Sequence, residues 1–266
     1  MTISFIGGGS MAEAMLSALL DKGINAPQDI WVSDISEARR QHLEQQYHVT
    51  VTGSNQQAAQ AGEMVILAVK PQNLVEVIIE LNGKLQPSQL VMSIIAGARI
   101  NTLCLGLDHY RVVRVMPNTP AQIGAGMSVW TATAEVTGEQ KKWVSAVLGA
   151  MGAEIYVGDE QYIDMVTAIS GSGPAYVFLF VESLVDAALE IGLPPEIVDE
   201  LVLQTLLGSG RLVQKSDKSP AELRRMVTSP GGTTAEALKK LEEGGFHDLI
   251  KEAVKAAFNR AGQLGT

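Results

Sequence analysis

The spacing of apolar residues changes character near residue 160. Before it, short apolar runs at 3–6, 30–33, 64–69, 90–95, 112–116, 127–131 and 154–157 alternate with helical periods at 10–21, 37–46, 74–81 and 138–150. Strands alternating with helices predict βαβ units and a parallel sheet. Val65-Ile66-Leu67-Ala68-Val69 is apolar at both parities, as a strand covered on both faces should be. After Gly158 no run reads as a strand. Helical periods at 160–191, 195–215, 220–227, 234–243 and 246–262 take over, broken at Gly192-Leu193-Pro194-Pro195, 216–220, 228–232 and Gly244-Gly245. The pattern predicts an α/β chain in two domains, a doubly wound sheet over 1–160 and an all-helical domain over 161–266.

One segment breaks its own pattern. Ile169-Ser170-Gly171-Ser172-Gly173-Pro174-Ala175-Tyr176 puts two glycines and a proline inside a long helical period. Pro174 has no N–H for the Ser170 carbonyl and clashes with it, so a kink or break is expected. Such a segment serves either a close ligand or close helix–helix packing.

Composition narrows the partners. The chain has 266 residues, 46% hydrophobic and 18% charged, ample for a proper core. A net charge of −9 argues against electrostatic binding to nucleic acid or an anionic membrane. Apolar stretches such as 177–181 are too short to span a bilayer. The first residues run straight into a strand and do not read as a signal peptide. A single cysteine, Cys104, excludes an intrachain disulfide and fits a reducing cytoplasm. His42, His48, His109 and His247 are scattered, so no metal site is expected. The long run of apolar helix needs another surface to cover it, which predicts dimerisation.

Gly7-Gly8-Gly9-Ser10-Met11-Ala12 fits G-x-G-x-x-A, follows a strand and opens a helix, the context of a dinucleotide site. Gly7 permits the tight turn, Gly9 lets the backbone approach a pyrophosphate, and Ala12 lets helix and strand pack closely. Asp34 lies 34 − 12 = 22 residues beyond Ala12, near the expected spacing of about 20 for a ribose-binding acid. It favours NADH, whereas Ser33, Ser36, Arg39 and Arg40 supply donors and charge for the phosphate of NADPH. Asn55 is a candidate for the adenosine half, or else a turn residue. Three further strand ends face the cofactor in a doubly wound sheet: Ala68-Val69-Lys70-Pro71, Ile94-Ile95-Ala96-Gly97 and Met116-Pro117-Asn118-Thr119-Pro120. In the last, two prolines bracket Asn118 and Thr119 in a stiff loop suited to fixing the nicotinamide.

A second anion-binding signal lies in the helical half. Ser229-Pro230-Gly231-Gly232-Thr233-Thr234 runs into the helical stretch Ala235-Glu236-Ala237-Leu238. Unpartnered N–H groups and the helix dipole favour a carboxylate or phosphate there. The plainer reading is a loop with a threonine N-cap.

Together these motifs resemble the pyrroline-5-carboxylate reductases, nearly end to end. The segments are Phe5-Ile6-Gly7-Gly8-Gly9-Ser10-Met11, Ala68-Val69-Lys70-Pro71, Met116-Pro117-Asn118-Thr119-Pro120, Ser170-Gly171-Ser172-Gly173-Pro174-Ala175-Tyr176 and Ser229-Pro230-Gly231-Gly232-Thr233-Thr234. The resemblance implies a Rossmann-type domain followed by a helical dimerisation domain, with rings of dimers common. It implies reduction of a cyclic imine, L-1-pyrroline-5-carboxylate, to L-proline with NADPH or NADH. It also implies that Ser229, Gly231, Gly232, Thr233 and Thr234 hold the substrate, Thr234 facing the ring nitrogen, with Asp217 contributing from a neighbouring subunit. Met226 stands where some members have Asn. The full set of cofactor candidates is Ile6, Gly7, Gly8, Gly9, Ser10 and Met11, then Ser33, Asp34 and Asn55, then Ala68, Val69, Lys70, Pro71, Ala96, Asn118, Thr119 and Pro120. A β-hydroxyacid dehydrogenase would need a lysine on the interdomain helix, and there is no Lys or His between Lys142 and Lys215. A non-catalytic nucleotide-binding protein would tolerate a degraded 229–234 segment, and here it is intact.

Overall fold

The computed structural model describes residues 1–264. Its eight strands form one sheet in the order β3-β2-β1-β4-β5-β6-β7-β8. These are β1 (Ile3–Ile6), β2 (Ile30–Ser33), β3 (Thr50–Thr52), β4 (Met64–Leu67), β5 (Leu90–Ser93), β6 (Val112–Met116), β7 (Gly126–Ala132) and β8 (Gly152–Tyr156). The strand order reverses at β1, with β2 on one side and β4 on the other, all parallel.

The expectation of a wholly parallel sheet is corrected at β7, which pairs antiparallel with β6, while β8 runs parallel to β7. Connection length explains it. Residues 117–125 link β6 to β7, and a parallel partner would need a crossover of about a dozen residues or more.

Helices cover both faces. On one lie α1 (Ser10–Asp21), α2 (Glu37–Tyr47) and α6 (Gly138–Ala150); on the other α3 (Asn55–Ala61), α4 (Leu74–Leu81) and α5 (Ile100–Leu107). Alternate residues of β4 divide accordingly, Met64 and Ile66 packing with the first cluster, Val65 and Leu67 with the second. That is why this strand is apolar at both parities.

The anomalous segment does break the helix. α7 (Gln161–Val166) passes into a π turn over Thr167–Gly171, closed by Ser172 N–H donating to the Thr167 carbonyl at 2.8 Å. α8 (Gly173–Glu190) then starts afresh with Pro174 in its first turn, where a missing N–H costs least. The carbonyl that Pro174 cannot satisfy, that of Ser170, is taken by Nδ2 of Asn118 at 3.0 Å.

The helical half continues with α9 (Pro195–Lys215), α10 (Pro220–Met226), α11 (Thr233–Glu243) and α12 (Phe246–Leu264). Two compact units are distinguishable: Met1–Ser172 with the chain end from Ala257, and Gly173–Ala256. Among the described residues of the second unit only Val198 and Val202 are buried hydrophobics, while Phe178, Leu179, Ile191 and Leu249 are exposed. The helical stretch Gln161–Glu190 is also long and apolar enough to cross a membrane by length and composition, with 6% of its apolar window buried. No unbroken apolar run spans this segment, because occasional charged residues interrupt the runs while the mean hydropathy stays high.

Candidate active site

In the first unit the carboxyl ends of β1, β2 and β4 open onto a cavity of about 460 Å³. Gly7, Gly9, Ser33, Asp34, Asn55, Ala68, Val69 and Lys70 line it. Gly7 adopts φ +96°, and a Cβ there would stand 3.0 Å from the Ala68 carbonyl carbon, so only glycine makes the turn without strain. Gly9 is the N-cap of α1 and offers no side-chain hydrogen bond to the first turn. A Cβ on Gly9 would meet no protein atom within 4 Å. A helix start with open N–H groups beside empty space is the cradle a pyrophosphate requires, so these residues fit a dinucleotide.

Asp34 turns back on the glycine loop. Its Oδ2 accepts from Gly8 N–H at 2.9 Å and its Oδ1 from Ser36 N–H at 2.8 Å. Asn55 opens α3 and is not a turn residue. Its Oδ1 accepts from Ser33 Oγ at 2.7 Å, and its Nδ2 donates to Glu80 at 2.8 Å. Ile35, Ser36, Asn73, Glu76, Val77 and Glu80 also line the cavity. Of these, Ile35 carried a signal, an isoleucine after the strand end that is 87% exposed. Glu76 and Glu80 read as an ordinary solvent face of α4.

Ser10 lines a separate cavity of about 290 Å³ with Glu13, Tyr47 and Gln122. Burial works against ionisation of Glu13, but hydrogen bonds from His42, Arg39 and Tyr47 outweigh it and hold the carboxyl below the usual range. Ile6 is a buried strand residue, Gly8 and Met11 lie in the glycine loop and the first turn of α1, and Pro71 opens a short 3-10 turn. Ala96 and Thr119 lie outside the cavity's lining, as do Pro120 and Asn118. Both ends of the Asn118 amide are committed, to the Ser170 carbonyl and to Met127 N–H at 2.8 Å.

In the second unit, residues 229–234 form a tight turn and a helix start. Gly232 N–H donates to the Ser229 carbonyl at 3.1 Å across Pro230 and Gly231, and Gly231 has φ +68°. This is the turn that proline followed by glycine prefers. A Cβ on Gly232 would collide with Ser229 Oγ at 2.4 Å. Gly232, and not a threonine, is the N-cap of α11, without a side-chain hydrogen bond. The first N–H groups of α11 are therefore free for a ligand, with the Thr233 and Thr234 hydroxyls beside them. Asp217, in the loop before α10, and Met226, at its end, are exposed.

Comparison with known proteins matches the two ends of the chain to different families. Residues 160–264 match the family described as pyrroline-5-carboxylate reductase dimerisation, and residues 2–97 match that described as NADP oxidoreductase coenzyme F420-dependent. A pyrroline-5-carboxylate reductase of Synechocystis sp. is 42% identical, covering 99% of this chain and 98% of that protein. The crystal structure of the Plasmodium falciparum pyrroline carboxylate reductase with NADP bound superposes with a TM-score of 0.91 at 32% identity, covering 100% of this chain and 98% of that one. The Coxiella burnetii pyrroline-5-carboxylate reductase superposes with a TM-score of 0.89 at 37% identity, with the same coverage.

Proposed function

The chain belongs to the pyrroline-5-carboxylate reductase family, and from that premise we propose that it reduces L-1-pyrroline-5-carboxylate to L-proline, the last step of proline synthesis, in the cytoplasm. The observation that carries this reading is full-length relatedness at about 40% identity to named reductases. The open glycine cradle and the uncapped start of α11 supply the two anion sites that the reaction needs.

NADPH or NADH is the cofactor; when bound, it supplies the hydride that adds to the imine carbon. Gly7, Gly9 and the first turn of α1 hold the pyrophosphate; Asp34, Ser33 and Asn55 hold the adenosine side; Lys70 and the 116–120 loop flank the nicotinamide side. The N–H groups at the start of α11 hold the substrate carboxylate. Thr234 Oγ orients the ring nitrogen or relays its proton. An imine protonated in solution is already electrophilic, so orientation and electrostatics supply most of the rate and no strong general acid is needed. The chain self-associates through its second unit, whose apolar helix faces are exposed in the single chain. We read this assembly as a dimer, with larger rings of dimers built on it and Asp217 reaching a neighbour's site.

The test is loss of reduced-nicotinamide absorbance with pyrroline-5-carboxylate, using NADPH and NADH separately and identifying proline as product. Turnover supports the reading. A folded protein that binds dinucleotide but turns over with neither would overturn it.

A further inference from the structure

The glycine loop is gripped at one residue from two sides. Gly8 N–H donates to Asp34, and the Gly8 carbonyl accepts from Nε of Arg39. A Cβ there would stand 2.8 Å from Leu43 Cδ1 and 3.2 Å from Val32 Cγ1, so a larger residue would have to push those side-chain ends aside. Each gripping side chain is itself braced. Asp34 is held by Ser36 N–H, and the terminal nitrogen of Arg39 pairs with Glu13. Glu13 receives His42 Nε2 at 2.9 Å and the Tyr47 hydroxyl at 3.0 Å as well. Arg39 and Glu13 are only 26% and 23% exposed, so the pair is partly shielded from water and from salt.

Two roles for Arg39 make different demands. As a ligand for the 2′-phosphate of NADPH, it would need its fork free and aimed at the ribose. In the structure Nε and a terminal nitrogen are taken by Gly8 and Glu13. The neighbouring Arg40 rests on the carbonyls of Asp34 at 2.7 Å and Ile35 at 3.2 Å, both residues of the cavity rim. The carbonyl of Gly8 and the N–H of Gly9 belong to one trans peptide and point in opposite directions. Fixing the carbonyl on Arg39 therefore fixes the direction of the Gly9 N–H, at the start of α1.

We propose that Arg39, held by Glu13, is a positioning residue that sets the Gly8–Gly9 peptide for the pyrophosphate and does not read the 2′-phosphate. This rests on the dinucleotide reading above. Because the pyrophosphate is common to both coenzymes, Arg39 serves NADH and NADPH equally.

The experiment measures dissociation constants of NADH and NADPH on the full-length protein by nicotinamide fluorescence, without substrate, for wild type, Arg39→Met, Arg39→Lys, Glu13→Gln and Arg40→Met. A lost charge-assisted hydrogen bond predicts that Arg39→Met weakens both coenzymes by the same factor, about tenfold. Arg39→Lys, which keeps the charge beside Glu13 and stands in should the methionine variant not fold, weakens both by an equal, smaller factor. Glu13→Gln follows the same equal pattern, with kcat at saturating coenzyme within about twofold of wild type. Arg40→Met is the contrast and changes the two coenzymes unequally. Loss of NADPH affinity alone in the Arg39 variants would overturn the proposal, as would unchanged affinity for both. Wild type binding neither coenzyme would overturn the dinucleotide reading itself, and this inference with it.

Discussion

Removing the side-chain amide of Asn118 tests whether the break at Pro174 is compensated from outside the helix. Asn118→Ala deletes two hydrogen bonds, one donated to the Ser170 carbonyl at 3.0 Å and one accepted from Met127 N–H at 2.8 Å. The Ser170 carbonyl has no helical donor to fall back on, because residue 174 is proline. An unsatisfied partner costs ~1–3 kcal/mol when buried. Asn118 is half-buried, so water replaces part of each bond and the low end applies, giving about 2 kcal/mol for the pair. For a chain of this size each kcal/mol moves Tm by roughly 2–4 °C, so the variant should melt about 4–8 °C lower. Thermal unfolding by circular dichroism should be compared at one protein concentration, since self-association makes Tm depend on it. Hydrogen exchange supplies the local readout: protection of the Met127 amide falls in Asn118→Ala but stays in Asn118→Asp. The aspartate keeps the acceptor for Met127 while turning an oxygen on Ser170, so it should lose as much stability as alanine. An unchanged Tm in Asn118→Ala with Met127 still protected would refute the reasoning.

Four further outcomes are expected. Gly9→Val should fold, since a Cβ there meets no protein atom within 4 Å, yet lose coenzyme binding; intact titration with NADPH would sink the cradle assignment. Thr234→Ala should lower kcat, by about tenfold for one lost orienting hydrogen bond, with coenzyme affinity preserved, and unchanged kinetics would remove its role. Leu179→Asp puts a charge on an exposed apolar face of α8 and should shift the protein toward monomer in sedimentation at micromolar concentration; an unshifted profile would place the self-association surface elsewhere. His109 is buried with Nε2 on the Gln89 carbonyl at 2.9 Å, and burial lowers its pKa below 6.5. The unfolded chain therefore takes up a proton that the folded chain resists, so stability is full above pH 6.5 and falls as pH drops below it. Urea unfolding on either side of that value should show this loss in wild type and a smaller one in His109→Gln.

Where the sequence was legible, one strong signal set the structure. β1, β2 and β6 end where their apolar runs meet glycine, aspartate or proline, and the expected bounds match the observed ones. The runs at 64–69 and 90–95 overreach, because after leaving the sheet Ala68-Val69 stay apolar at the cavity wall and Ile94-Ile95 stay apolar against the core clusters. β3, α3 and α5 carry weak sequence signals. β3 is a three-residue edge strand, half-buried throughout; α3 reads Asn-Gln-Gln-Ala-Ala-Gln-Ala, with no apolar stripe beyond Ala58 and Ala59. α5 carries Gly106, which is there for close packing, since a Cβ would stand 2.5 Å from Ile78 Cγ2. In the site, the glycine loop and strand ends were readable because steric need dictates the residue type. The Glu13–Arg39 grip was not, because glutamate and arginine on separate helices look like solvated charges until the fold joins them.

The scarcity of buried side chains in Gly173–Ala256 bears on how the molecule comes into being. A ribosome delivers the sheet first, with two side-chain clusters already complete, so that half can collapse before the rest of the chain emerges. The helices that follow close little core of their own, and ordering them waits on an encounter. Maturation is then a second-order process whose rate follows expression level, and a scarce chain spends longer with Phe178, Leu179 and Leu249 uncovered to chaperones and proteases.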